Sequence, residues 1–444
     1  RNIGYYMTQL RGWSALLHES AQALTGLVER THRSVARRPI ALLSAVPGVG
    51  VGAQAVGAIH DGIAGAVYGG IRLLQQGLAA GSNAAATAAE QTGLSEALAG
   101  SVAQALDRKT AENLTVLRDT VQGAINGWVG DFLADKANPL AFELGFCVDG
   151  KPLPCTPEAM ALAYPAPSRK VCVFIHGLGC TDLSWRFDAR AQFGDDAANY
   201  GQFLARDLGF TSLFVRYNTG LHIAENARAL CRLLETLQAA YPVEIDELVL
   251  VGHSMGGLVA RGAVHYAVSQ GCTFQERLTH LLCIGSPHLG APLEKATHWL
   301  ATALSSVDAA TTQIPAALLN TRSAGIKDLR FGKVVDEDAS LPPPMLPRVT
   351  YGTIAATVTS DPEHPLGRLL GDLLVRVPSA TGVADVPERH VRFDLGEVVH
   401  GVHHLAMLNH PRVYAQVLKF LSTRVIAAEG AAAAVHAALP NHAP

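Results

Sequence analysis

The segment Gly252-His253-Ser254-Met255-Gly256-Gly257 sets a serine between glycines two residues away on either side, directly after the apolar run Leu248 to Val251. A serine at a very tight strand-to-helix turn must take an unfavourable backbone conformation, and the turn closes only around small neighbours. Gly252 and Gly256 are those neighbours. The Ala/Leu/Val stretch that follows can open a helix, whose first N–H groups and dipole favour developing negative charge. This pattern suits a nucleophile. Because G-x-S-x-G also arises by chance in long chains, the strand before it and the helix after it carry the reading.

A serine hydroxyl is a poor nucleophile near neutral pH until an oriented base takes its proton. His400, His403, His404 and His410 lie just before a helical spacing of Val413, Val417, Leu418 and Phe420. The base belongs on the loop between a last strand, expected at His390 to Leu395, and this last helix. His403 and His404 both fit. The acid should follow an earlier strand, expected at Arg348 to Val358, and both Asp361 and Asp372 do so. An apolar stretch after Asp372 would keep its carboxylate out of water, where it acts more strongly on an imidazole. A tetrahedral intermediate also needs N–H donors for its oxyanion. "FIHGLGCTD" offers His176-Gly177 and then the N–H of Leu178, and the N–H of Met255 is the natural partner.

These groups need a scaffold. Val171 to Gly177 and Ser212 to Asn218 read as buried strands, and Leu278 to Pro287 as another. Between Leu221 and Tyr241 the residues Ala227, Leu230, Leu233, Leu234 and Leu237 recur at helical spacing, and the helix after Ser254 extends to about Ser269. Alternating strand and helix implies a doubly wound parallel sheet with its site at the carboxyl ends of the strands. Residues 288–346 interrupt this pattern and read as a cap or lid. There Trp299, Leu300, Leu304, Ile314 and Leu318 would line an acyl pocket or pack an apolar stripe on the core.

With 444 residues the chain exceeds one average domain, and a net charge of −3 with 16% charged residues offers no basic stripe for nucleic acid. Residues 1–136 are Ala/Gly-rich and read as helices, among them an amphipathic one in "SALLHESAQALTGLVERTH" and another around 94–118. A Pro-rich crossover at 137–170 leads to the catalytic domain at 171–426, and an Ala-rich tail fills 427–444. Residues 39–60 carry no Asp, Glu, Lys or Arg, yet Pro39, Pro47 and four glycines argue against a membrane span. Helices packed on the catalytic domain, or a peripheral contact with lipid or an apolar surface, are the alternatives. Seven cysteines make neither a C-x-x-C pair nor a dense framework, and their odd number excludes complete intramolecular pairing. A Cys147–Cys155 bridge is conceivable if the protein is exported. The chain begins at Arg1, as a processed or trimmed product would. Cytoplasm, membrane association and export all remain compatible.

"HGLGCTDLSW", "RYNTGLHIAENAR", "VGHSMGGLVAR", "GSPHLGAPLEK", "GDLLVRVPSA" and "HHLAMLNHPRVY", in this order, resemble the serine esterases and lipases of the α/β-hydrolase superfamily. More narrowly, they are similar to bacterial lipase-like hydrolases with a helical N-terminal extension. The resemblance covers residues 171–424 and implies an α/β-hydrolase fold, a mostly parallel central sheet flanked by helices, with an α-helical N-terminal region and a cap or lid insertion. In bacterial lipases an Asp-Gly-Leu-Val motif carries the acid and an Asn-His-Leu-Asp motif the base. By that match the triad is Ser254, Asp372 and His404. The sequence departs from the family where Leu373 replaces glycine, His403 replaces asparagine, and Ala406 replaces an aspartate that helps some secreted lipases bind calcium. No calcium site, and no metal or organic cofactor, is therefore expected. His253 is expected to shape the elbow, and it joins His176, Gly177 and Trp299 among the residues expected at the substrate.

The resemblance implies a serine carboxylic-ester hydrolase that works through an acyl-enzyme on acylglycerols, aliphatic esters or polyester fragments. Its partner would be a small-molecule or polymeric ester rather than nucleic acid, and the oligomeric state is left open. A thioesterase, amidase or acyltransferase would use the same triad. A fold kept as a binding or membrane-contact module is the non-enzymatic alternative.

Overall fold

Val171, Val173 and Ile175 face one side of their strand and Cys172 and Phe174 the other, and all five are buried. Leu248 and Leu250 alternate in the same way with Val249 and Val251. A strand that is apolar on both faces requires cover on both, which is the condition for a parallel sheet between helical layers. The computed structural model describes residues 141–291, 323–336, 342–362, 364 and 371–423, with positions 29, 69, 119, 120, 122, 123, 126, 127, 130, 131 and 133–135. Apart from such single positions, the expected N-terminal helices, the uncharged stretch at 39–60 and the tail at 427–444 lie outside the described residues.

Eight strands form one sheet in the order β2-β1-β4-β3-β5-β6-β7-β8. They are β1 (Gly145–Val148), β2 (Lys151–Leu153), β3 (Lys170–Ile175), β4 (Thr211–Arg216), β5 (Glu247–His253), β6 (Leu278–Ile284), β7 (Thr350–Thr357) and β8 (Leu395–His400). From β4 to β8 every pairing is parallel, whereas β1 runs antiparallel to both β2 and β4. The helices are α1 (Pro157–Ala163), α2 (Ala189–Phe193), α3 (Tyr200–Leu208), α4 (Ile223–Ala240), α5 (Met255–Gln270), α6 (Ala324–Phe331), α7 (Val377–Ala380) and α8 (Pro411–Leu421). Residues of α4 and α5 share one core cluster with one face of the sheet, and residues of α3 and α8 share the other. α5 is buried nearly all round, and Gly262 permits this: a Cβ there would lie 2.7 Å from Ala227 Cβ on α4.

Two features differ from the sequence reading. The passage read as Pro-rich crossover contains the β1–β2 hairpin, in which Asp149 (φ 49) and Gly150 (φ 78) make the two-residue turn. Both residues have positive φ, which is the requirement of a type I′ turn and the reason for an Asp-Gly pair. The last strand is Leu395–His400 rather than His390–Leu395. β8 is an edge strand with only Val399 buried, so its residues carry little alternation, and pairing with β7 from Gly352↔Leu395 sets its place.

The chain divides into two compact units, residues 1–121 with 300–318 and residues 122–299 with 319–444. The described positions between 122 and 135 are helical and belong to the second unit, although the sequence groups them with the N-terminal region. Among the described residues no helix is long and apolar enough to cross a membrane. All seven cysteines are free thiols, so Cys147 and Cys155 are not bridged. Cys231 on α4 and Cys272 after α5 bring their sulfurs to 3.3 Å.

The antiparallel edge is tied to the sheet by a buried ion pair. Arg216 Nε and Nη2 reach Asp182 Oδ1 at 2.6 and 2.5 Å, and the hairpin's Gly150 N–H donates to Asp182 Oδ2 at 3.2 Å. Removing one member strands the other charge in the interior, at a cost of about 3 to 5 kcal/mol. Asp182→Ala should lose that much in urea unfolding. A loss near zero would show that the pair does not hold this edge.

Candidate functional site

Ser254 is held in a strained backbone conformation. Its φ of 54 and ψ of −123 lie where side chains are rarely tolerated, at a cost of about 1 to 3 kcal/mol. The surroundings hold it there. Ser254 N–H donates to Ile284 O at the end of β6 (2.8 Å), and no Cβ fits at either flanking glycine. At Gly252 a Cβ would come within 2.4 Å of Gly257 N, and at Gly256 within 2.2 Å of Ile175 O. Ser254 therefore sits between the carboxyl end of β5 and the N-terminus of α5, whose first N–H groups have no partner within the helix.

Of the candidate acids and bases, the structure joins Asp372 and His404. His404 opens a short 3-10 helix, His404–Leu408, between β8 and α8, and its Nδ1 lies 2.7 Å from Asp372 Oδ2. The other oxygen, Oδ1, accepts from the backbone N–H groups of Leu374 (3.0 Å) and Val375 (2.7 Å), and His404 N–H donates to Asp372 O (3.1 Å). A carboxylate so placed accepts from Nδ1–H and leaves Nε2 of a neutral imidazole as the free base. The end of β6 brings this pair to the serine. Ile284 O holds Ser254, and the next residue, Gly285 (φ 60), is so close to the imidazole that a Cβ would lie 3.3 Å from His404 Cε1.

Leu373 departs from the lipase motif, and its backbone shows why glycine is usual there. Its φ is 86, a left-handed conformation. A non-glycine residue there leaves strain in the backbone. His403 does not compete for the acid: its side chain accepts from Ala406 N–H (3.4 Å), and burial, with the charge of His404, lowers its pKa. Asp361 is exposed.

His176 and His253, expected near the substrate with His253 shaping the elbow, are both buried, with 0% and 1% exposure. His176 stacks on Tyr217 at 4.5 Å, donates from Nδ1 to Gly177 O (3.0 Å), and has its pKa pushed down to about 3 by burial. His253 Nε2 lies 3.1 Å from His404 O, so it donates there and fixes the backbone of His404; burial and His404 hold its pKa well below the usual range. Gly177 does border the elbow, since a Cβ on it would lie 2.9 Å from Ser254 Cβ. Leu178 follows on the same turn, which closes through Cys180 N–H and Gly177 O (3.2 Å), and Met255 is the first residue of α5. Trp299 and the other four pocket candidates lie outside the described residues, as does most of the expected cap. Its described helix, α6, places Gly325 N–H on Gly220 O at 3.0 Å.

Sequence reading took residues 122–135 as helical but did not place them against the turn at Gly179. Gly123, Gly127 and Gly130 lie at i, i+4 and i+7, on one helix face. A Cβ on Gly127 would lie 2.9 Å from Gly179 N and Cα, and one on Gly123 would lie 3.0 Å from Gly179 O. Asn218 Nδ2 donates to Gly130 O (2.8 Å), and Gly179 N–H donates to Thr219 Oγ1 (3.0 Å). The glycine spacing in "GAINGWVGD" was the available signal. Among the described residues no cluster of His, Cys, Asp or Glu could hold a metal ion.

Residues 169–360 match the family model described as PGAP1-like alpha/beta domain. Similar solved structures include the Bacillus licheniformis lipase BlEst2 in mature form, 19% identical over 57% of this chain and 93% of that one, with a TM-score of 0.36. Staphylococcus hyicus lipase is 13% identical over 58% of this chain and 95% of its own, with a TM-score of 0.36. The RedJ thioesterase of the prodiginine pathway in Streptomyces coelicolor is 18% identical over 59% and 92%, with a TM-score of 0.32. No curated protein matches the chain. The fold is that of the α/β-hydrolases, as the sequence led one to expect, with a mostly parallel eight-stranded sheet flanked by helices.

Leu373→Gly should relieve the left-handed strain against a gain in unfolded-chain freedom, so its stability should stay within about 1 kcal/mol of wild type. Chemical denaturation measures this. A larger loss would mean that the leucine side chain, not the backbone, holds the acid turn.

Proposed function

We propose that this chain is a serine hydrolase that cleaves carboxylic esters through an acyl-enzyme. The observation that carries the proposal is the strained Ser254 at the head of α5, beside a histidine whose Nδ1 is bound to a buried carboxylate. His404 Nε2 takes the proton of Ser254 Oγ as the oxygen attacks the ester carbonyl, and Asp372 stabilises the resulting imidazolium. The N–H groups of Leu178 and Met255 receive the oxyanion. The imidazolium then protonates the departing alcohol, and a water molecule, deprotonated by the same imidazole, releases the acid and restores Ser254. Every proton is carried by the one histidine. Aliphatic esters, including acylglycerols and polyester fragments, are the substrate class proposed.

Hydrolysis of p-nitrophenyl esters of increasing acyl length is the test. Ser254→Ala should reduce kcat by at least about a thousandfold, and Asp372→Asn, which favours the wrong tautomer, by roughly 10³ to 10⁴. Equal turnover by wild type and Ser254→Ala would overturn the proposal. Cleavage confined to thioesters would move it to a thioesterase.

The helical face at Gly127 supplies a separate check on the oxyanion donors. Gly127→Val must displace Gly179 backbone, next to Leu178, and should lower kcat by at least about tenfold while KM changes little. A change in KM alone would place the helix at substrate entry instead.

A further inference from the structure

Midway along α5 lies a cation without an acid. Arg261 is 4% exposed, and among the described residues no carboxylate pairs with it. Its Nη1 lies 3.1 Å from Nδ1 of His288, itself 5% exposed on the loop after β6. Arginine can only donate, so His288 Nδ1 must accept, and the proton of the neutral ring sits on Nε2. Burial and the adjacent guanidinium hold His288 in that neutral form. Arg261 Nη2 and His288 Nε2 are both buried, and among the described residues neither has a hydrogen-bond partner. The guanidinium cannot escape its charge by losing a proton at any ordinary pH.

Both residues line one pocket, with about 30 Å³ of interior space. That is room for one or two water-sized groups. Leu289, Val334, Val335, Pro342 and Pro343 add apolar side chains to a lining that stays largely polar, and its rim carries Phe331, which is 61% exposed, and the exposed Arg389. The polar floor thus offers donors and positive charge, and the walls offer apolar surface. A ligand that satisfies both places a small acceptor-rich anionic head in the pocket and lays an aliphatic body outside it, against the exposed Phe331 at the rim.

We infer that the pocket at Arg261 and His288 binds the carboxylate of an aliphatic acid, at a site separate from Ser254. Arg261 is seven positions beyond Ser254, about 10 Å of helix rise along α5. The acid's identity as a product of the catalytic centre rests on the ester-hydrolase reading, but the pocket's need for an anion does not.

The test is calorimetric titration of octanoate, with octanol and sulfate as controls, into the full chain carrying Ser254→Ala. Saturable binding of octanoate is expected, with no binding of octanol and at least tenfold weaker binding of sulfate. Arg261→Met in the same background should weaken octanoate at least tenfold without lowering the melting temperature, since it removes an unpaired buried charge. Arg389→Ala, at the exposed rim, should weaken it about threefold by reducing the local positive potential; if Arg261→Met fails to fold, this variant decides. Absent octanoate binding, or binding unchanged in the variants, would overturn the inference. Sulfate binding as tightly as octanoate would overturn the aliphatic part. Octanoate binding, together with no esterase activity of the wild-type chain in a parallel assay, would leave the pocket standing and remove the hydrolase reading alone.

Discussion

Ser254 can hold its φ of 54 only because three neighbours deny it any alternative. Ile284 O takes its N–H, and the backbones packed on Gly252 and Gly256 leave no room for the turn to open. The strain, of order 1 to 3 kcal/mol, is small beside the burial of β5 and α5, which are covered on both sides. The parallel sheet is what supplies that cover. Its central strands end together, so β3, β5 and β6 each contribute a backbone group to one small volume, and side chains from far apart in the chain meet there.

The same economy governs the polar groups around the elbow. Asp372 is 1% exposed and His404 is 4% exposed, yet each oxygen of the carboxylate has a donor, two of them backbone N–H groups. Such a carboxylate resists displacement better than one held by mobile side chains. The buried histidines form a supporting layer. His253 fixes the backbone of His404, and Tyr217 O–H donates to His176 O (2.8 Å) at the start of the turn that bears Leu178. Arg261 is the exception, a buried cation for which the described fold provides no counter-charge.

Much of this was legible in the sequence because it is written in local pattern. The alternation in β3 and β5, the helical spacing of α4 and the glycines around Ser254 each report their own environment within a few residues. Spacing could not choose between Asp361 and Asp372, or between His403 and His404, because the choice is made by contacts across the fold. The family motif selects the pair that the structure joins at 2.7 Å. The β1–β2 hairpin was hidden by the prolines around it, although Asp149-Gly150 marks its turn. β8 was misplaced because an edge strand half open to solvent leaves a weak periodicity. The ring partner of His176 was illegible for a different reason: a histidine beside an elbow looks the same in sequence whatever it meets, here the ring of Tyr217.

The central claim is that one strained serine carries the chemistry. The most direct measurement is mass spectrometry of the intact, folded protein after reaction with a fluorophosphonate, followed by digestion to locate the adduct. A single phosphonyl group on the peptide containing Ser254, absent after prior heat denaturation, is the expected result. No adduct on a demonstrably folded chain, or an adduct on another residue, would contradict it.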